Sequence, residues 1–343
     1  MFIRSVYVSD YIKYGLDDFK ADEIVFTSLH IAEEYNDDFK TNAIKMLKEL
    51  KSLNLKIMVD ISPRALKMLE VKSIREFSER FGISIIRFDF GFSDDDIIEA
   101  SEYIEVAINA STNDFKLADK IKSMGREVYA VHNFYPRVET GLDQAFFKER
   151  NKILKAHDIK VLAFIPGDER LRGPMYEGLP TLEIHRNIHP YVAYLDLVKN
   201  FNVDGVMVGD PKLSRDIIES IALYERDHVI EVASKINDDY SALYNMTFTI
   251  RSDSPSNLCR LKESREYATF GKTIKPKNTI LRKKSSITID NEKYLRYSGE
   301  IQITKEDFKA DERVNVIGEI VTEDLVEMIN RDDKIKFIKE KYV

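Results

Sequence analysis

Eight short apolar runs, each followed by a polar loop and a helix-like segment, fill the first two thirds of the chain. They are Ile3–Val8, Glu23–Thr27, Lys56–Asp60, Ile83–Asp89, Ile104–Asn109, Glu127–His132, Val161–Ile165 and Gly205–Val208. Runs this short and this continuously apolar read as strands buried on both faces, and strands that alternate with helices pair in parallel. The segments between them are amphipathic. Asn42–Leu53 carries Ile44, Leu47, Leu50 and Leu53 at intervals of three with lysines on the other face, and Phe115–Met124 and Phe146–Ala156 behave alike. Eight strand–helix units within residues 1–226 fit a (β/α)8 TIM barrel, whose usual size is about 250 residues. An open doubly wound sheet is the alternative, but no Gly-rich phosphate fingerprint follows the first strand.

Beyond Tyr224 the alternation stops. Residues 227–343 carry short β-branched runs separated by turn residues: Met246–Arg251, Ser286–Asp290, Gly299–Thr304, Val314–Ile320 and Lys334–Ile338. This pattern predicts a second, smaller, mainly β domain in which the basic, Ser/Pro/Asn-rich stretch Arg251–Lys284 is loop.

Composition narrows the function classes. A net charge of -7 argues against a general nucleic-acid binder, and no apolar run approaches the roughly 20 residues that span a bilayer. The single cysteine, Cys259, cannot form an internal disulfide, and the N-terminus lacks a signal-peptide pattern, so a cytoplasmic location is expected.

In a barrel the carboxyl ends of the strands carry the chemistry. Here they deliver Ser28 and His30, Asp60, Asp89, Asn109, His132 with Asn133, Tyr135 and Arg137, and Asp210. The seventh strand opens the richest stretch, Lys160–Asn187, which holds Asp168, Glu169, Arg170, Arg172, Tyr176, Glu177, Glu183, His185 and Arg186. Loops this long are uncommon without a purpose. Each candidate also has a plainer reading. Asp210 and Ser62 suit helix N-caps, and His132 suits a satisfied core histidine. Phe134-Tyr135-Pro136 is either packing or a platform for a sugar ring. The arginines are either surface charge or bidentate partners for phosphate and carboxylate.

The residue types available favour carboxylate chemistry. There is no Gly-x-Ser-x-Gly elbow, Cys259 lies outside the barrel, and no strand end offers a lysine for a Schiff base. His30 and His132 with Asp60 or Asp89 could ligate a metal, but there is no His-x-His, no HExxH and no cysteine cluster, so neither metal nor cofactor is expected. Glycoside hydrolysis needs only two carboxyl groups, one protonating the leaving oxygen and one attacking or activating water.

The segments FTSLH, DISP, RFDFG, INAST, HNFYPR–ETGL, FIPGD–RGPMYEGLPTLE–HR and VGDP, with IDNEKYLRYSGEIQI and RVNVIGEI near the C-terminus, resemble a bacterial family first catalogued as outer-surface proteins and associated with 6-phospho-N-acetylmuramidases. The resemblance spans nearly the whole chain. It implies a TIM barrel followed by a cyclophilin-like β domain. It also implies cleavage of a phosphorylated amino-sugar disaccharide, N-acetylmuramic acid 6-phosphate–N-acetylglucosamine, in cytoplasmic cell-wall recycling. By analogy with other barrel glycosidases the expected carboxylate pair is Asp89 and Asp168, with Asp60, Glu177, Glu183 and Asp210 in reserve. Arg137, Arg172 and Arg186 would meet phosphate or the lactyl group, and Ser28, His30, Asn109, His132, Asn133, Tyr135 and His185 the sugar. The chain departs from the family at Arg251–Ser256 and at Leu295, where a glycine is usual. A sugar-phosphate sensor without turnover and a metal-dependent sugar-phosphate isomerase or epimerase are the rival functions.

Overall fold

The computed structural model describes residues 1–340 except 17–18, 32–33, 36, 112–114, 245 and 265–272. Thr112, the last residue of the INAST segment after the fifth strand, lies outside the described residues. The chain divides into two compact units, Met1–Arg215 and Asp216–Val343.

The first unit is a closed barrel of parallel strands in the order β1 to β8. They are β1 (Phe2–Ser5), β2 (Ile24–Ser28), β3 (Lys56–Ile61), β4 (Ile83–Phe88), β5 (Glu105–Asn109), β6 (Val128–Val131), β7 (Lys160–Ile165) and β8 (Gly205–Val208). The expected doubly buried strands are therefore present, each within a few residues of its apolar run. Between them run helices that include α1 (Val8–Tyr14), α2 (Phe39–Ser52), α3 (Pro63–Met68), α4 (Ile74–Phe81), α5 (Asp94–Ser101), α6 (Phe115–Ser123), α7 (Gln144–Ala156) and α8 (Pro190–Lys199). Their starts follow local chemistry. Ser93 and Asp96 form a reciprocal capping box at α5, and Asp143 accepts the Phe146 N–H at α7. Ser62 sits at the N-cap of α3, where Pro63 opens the helix, but its side chain makes no capping bond.

The barrel interior is filled, as in a packed core. Ile3, Phe26, Met58, Ile85, Ala107, Val131, Leu162, Phe164 and Met207 form one buried cluster. Register aligns them laterally: Phe26 pairs with Met58, Met58 with Ile85, Val131 with Leu162, Phe164 with Met207 and Met207 with Ile3.

The second unit carries a seven-stranded sheet in the order β10-β15-β9-β14-β12-β13-β11. The strands are β9 (Val229–Ile236), β10 (Thr247–Thr249), β11 (Leu258–Arg260), β12 (Ser286–Asp290), β13 (Ile301–Thr304), β14 (Val314–Ile320) and β15 (Lys334–Lys339). All pairs are antiparallel except β9 with β15. Two strands lie where none was expected. β9 runs straight on from a helix, so no turn residues announce it. β11 falls inside the stretch read as loop, because three residues around Cys259 are too few to show a period.

Candidate active site

The pleat decides which side chains reach the barrel mouth. Successive residues of a strand face opposite sides, so the residue two positions after a core residue also points inward, one layer nearer the carboxyl end. Two beyond Phe26 is Ser28, two beyond Met58 is Asp60, and two beyond Ile85 is Arg87. Register then sets Ser28 beside Asp60 and Asp60 beside Arg87. Ala107 and Val131 lead by the same step to Asn109 and Asn133.

Of these inward groups Ser28, Asp60, Arg87 and Asn133 line a cavity of about 360 Å³, together with His30, Asp89 and Arg172 over an apolar floor of Phe26, Phe134 and Phe164. Asp60 is buried at its base. Ser28 Oγ donates to Asp60 Oδ2 at 3.0 Å, and Arg87 Nη1 lies 2.9 Å from Asp60 Oδ1, close enough for an ion pair but without hydrogen-bond alignment. Burial pushes the Asp60 carboxyl above the usual carboxylate range. The Arg87 charge opposes that shift and the neighbouring Asp89 reinforces it. Asp89 is the more open carboxylate, 3.4 Å from His30 Nε2 and 3.9 Å from Arg87 Nη2. Arg87 Nη2 also donates to Asn133 Oδ1, while its Nε is buried without a hydrogen bond among the described residues. Asn109 Nδ2 reaches the same Asn133 oxygen at 3.4 Å.

Arg172 closes another side. Its guanidinium carbon lies 4.4 Å from the Tyr7 ring centre and 5.7 Å from that of Phe134, and Glu34 stands 3.9 Å from its Nε. A buried cation packed on aromatic faces, with a carboxylate only at the limit of contact, is suited to an anionic ligand.

The loop between β7 and α8 is held by buried acids. Asp210 accepts the backbone N–H groups of Gly167 at 2.9 Å, Arg172 at 2.9 Å and Leu179 at 3.0 Å. It is therefore a staple for the loop and not a helix cap. The contact is so close that a Cβ on Gly209 would stand 2.2 Å from the Leu179 carbonyl oxygen, and one on Gly167 would stand 2.5 Å from that of Lys212. Glu183 accepts the N–H groups of Glu139 and Gly141 and pairs with Arg186. Led by the Arg186 bond, these donors hold its carboxyl down at about 2. Arg186 spends its remaining donors on the carbonyls of Gly178, Tyr135 and Arg137.

Of the residues expected from sequence, Ser28, His30, Asp60, Asp89, Asn133 and Arg172 meet at the cavity. Asn109 stands behind them on the Asn133 amide oxygen, and the others lie elsewhere. Asp168 is exposed and accepts the Ser214 N–H at 2.7 Å. Glu177 and Arg137 are exposed on loops, and Tyr135 is half-buried with its N–H on the Pro180 carbonyl. His185 is buried against Asp196 at 2.8 Å. His132 follows Val131 by one residue, so it points out of the barrel into α7. There it packs on Phe147 and bonds Asn151 Oδ1 at 2.8 Å and Ser111 Oγ at 3.1 Å. Burial lowers it to about 4, which keeps the ring neutral. Sequence reasoning passed over Arg87, although a charge inside the otherwise apolar ISIIRF strand has to find a partner. It also passed over Tyr7 and Glu34. Among the described residues no group of three or more His, Cys, Asp or Glu side chains is arranged to hold a metal ion.

Comparison with known proteins adds a family. The N-terminal profile of 6-phospho-N-acetylmuramidase matches residues 8–223 and the C-terminal profile residues 229–338. A solved structure of a conserved Enterococcus faecalis protein with an unknown function is 31% identical, with a TM-score of 0.82 over 99% of this chain and 96% of that one. An uncharacterized B. cereus protein is 22% identical, with a TM-score of 0.75 over 98% and 99%, which shows the shared fold. No curated protein matches.

Proposed function

Because this chain belongs to the 6-phospho-N-acetylmuramidase family, we propose that it hydrolyses the glycosidic bond of a disaccharide ending in 6-phosphorylated N-acetylmuramic acid, with Asp60 and Asp89 as its carboxylate pair. The observation that carries this reading is the Asp60–Arg87–Asp89 group at the cavity. Two carboxyl groups in unequal surroundings can divide acid and base roles between them. Asp60, buried and pushed up, is suited to hold a proton and give it to the leaving oxygen. Asp89, more open and facing His30 and Arg87, is suited to stabilise or attack the anomeric carbon, or to activate water. Among the described residues the buried Arg87 Nε has no hydrogen-bond partner, and a sugar hydroxyl or acetamido oxygen could supply one.

Asp89 is paired here with Asp60 and not with Asp168, because Asp168 is exposed and engaged with Ser214 outside the cavity. Arg172 is the anion partner, for the phosphate or the lactyl carboxylate. Arg186 is already saturated inside the loop. The Phe134 ring, half-buried over the floor, offers an apolar face to a pyranose. Cytoplasmic recycling of cell-wall fragments is the setting this substrate suggests. No helix of the described residues is long and apolar enough to cross a membrane.

The test is incubation of purified protein with N-acetylmuramic acid 6-phosphate–N-acetylglucosamine, with and without EDTA, followed by mass spectrometry. Cleavage into two monosaccharides that survives EDTA is expected. Thermal stabilisation by the disaccharide without cleavage would replace the hydrolase by a sensor, and cleavage lost on chelation would remove the two-carboxylate mechanism.

A further inference from the structure

The second unit has a cavity of its own, about 370 Å³, of the size that takes a small molecule. Its floor includes Ile250 and Ile329, both fully buried. Its polar lining includes Ser256, Lys305, Asn330 and Arg331, and no aspartate or glutamate lines it among the described residues. Other cations of this unit are matched. Arg251 pairs with Asp253, Arg260 with Glu300, Arg313 with Asp311, Lys277 with Asp239 and Lys293 with Glu312. Arg331 and Lys305 form no ion pair among the described residues, and both line the same cavity. Arg331 is nevertheless fixed, because its Nε donates to the Ser254 carbonyl at 2.7 Å and leaves the two terminal nitrogens of the fork to donate elsewhere. Ser254 is in turn fixed by the Arg260 N–H on its hydroxyl at 3.1 Å and by its own N–H on the Arg251 carbonyl.

We propose that this cavity is a second ligand site, separate from the hydrolytic reading, and that it takes a phosphate monoester. Two cations with a hydroxyl and an amide present more charge and more donors than a carboxylate can use. They suit a doubly charged group with three terminal oxygens. The isoleucine floor suits an organic body beneath that group. A cavity in the barrel unit with similar cations, lined by Lys13, Arg170 and Arg172 and about 280 Å³, differs because the acids Asp10 and Glu34 line it too.

The experiment uses the full chain with 13C-labelled isoleucine δ1 methyls, titrated with glucose 6-phosphate, glucose and inorganic phosphate. Ile250 and Ile329 report this cavity, and Ile31 independently reports the barrel cavity. Glucose 6-phosphate is expected to shift Ile250 and Ile329, glucose to leave them unmoved, and inorganic phosphate to bind ~10-fold more weakly. Arg331→Gln and Lys305→Gln should each weaken the sugar phosphate ~10-fold, as loss of one charge-assisted bond does, and together abolish the shift. Shifts that survive the double variant, equal shifts with glucose, or no shift of these two methyls would overturn the site. Inorganic phosphate binding as tightly as the sugar phosphate would overturn the monoester.

Discussion

Two arginines in this protein each lie near two carboxylates, one in each unit, and they are arranged in opposite ways. In the sheet unit Arg260 closes its fork on Glu300, with Nε at 2.6 Å and Nη2 at 2.9 Å, while Asp253 stands at 3.5 Å. Burial pushes Glu300 up, but the Arg260 fork and Gln302 outweigh it and leave the carboxyl below its ordinary value. In the barrel Arg87 is off-axis to Asp60, distant from Asp89 and, among the described residues, without a hydrogen bond at Nε, beside an open cavity. A closed bidentate pair is finished by folding. An incomplete one leaves a raised carboxyl and unused donors for a ligand to complete.

The largest effects should follow that division. Asp60→Asn and Asp89→Asn are each expected to lower turnover of the phosphorylated disaccharide about 1000-fold, or about 4 kcal/mol of barrel-site transition-state stabilisation, while the melting temperature changes little. Asp168→Asn should stay within about threefold of the parent, a difference of well under 1 kcal/mol. Comparable losses in both sets would erase the distinction between the cavity pair and the loop acid. Glu300→Gln should behave the other way. It leaves Arg260 with only the looser Asp253 and should reduce unfolding free energy in urea by about 3 kcal/mol, with turnover per folded molecule unchanged.

The comparison extends to pH. His132 is lowered from 6.5 to about 4 by burial in the barrel, so the unfolded chain takes up its proton first. Its contribution to stability is intact above pH 6.5 and is lost as pH falls towards 4, on the order of 3 kcal/mol across the window. Asp290 in the sheet unit is raised from 3.8 to about 7, by burial first and by Glu300 next. There the folded state holds the proton longer, so stability is fully present below pH 3.8 and is lost as pH rises through 7. The two windows overlap and the slopes oppose each other, so in urea titrations from pH 4 to 8 His132→Gln should lose a rise of stability with pH and Asp290→Asn should lose a fall. A profile unchanged in either variant would remove that group from the account. The smallest effect concerns Leu295, exposed and held at φ 54° and ψ -118°, a region of backbone space that favours glycine. Leu295→Gly should raise stability by about 1 kcal/mol, read as a urea midpoint shift.

The barrel was legible because its strands, buried on both faces, leave short continuous apolar runs, and its helices, buried on one, leave a period between them. Half of the site was equally legible in principle. Ser28, Asp60, Arg87 and Asn133 all lie two residues past an inward apolar position, and the same parity turns His132 outward. What parity cannot give is the fate of a loop residue. Asp168, Glu183, Arg186 and Asp210 look alike as charges after strands. Only the folded backbone shows that Asp210 and Glu183 are consumed by N–H groups, Arg186 by carbonyls, and Asp168 by Ser214. The sheet unit was less legible because β9 and β11 lack the turn signals or length that mark a strand.

The hold of Asp210 on Gly167, Arg172 and Leu179 has a consequence for heredity and for engineering. The loop after the seventh strand is written partly in the eighth, so it is not a cassette. A recombination crossover or a graft that exchanged residues 166–189 alone would separate the loop from the carboxylate and from the missing side chain at Gly209 that shape it. Arg172 would then arrive at the barrel mouth with the right identity and the wrong position. Positions 209 and 210 have to travel with the loop.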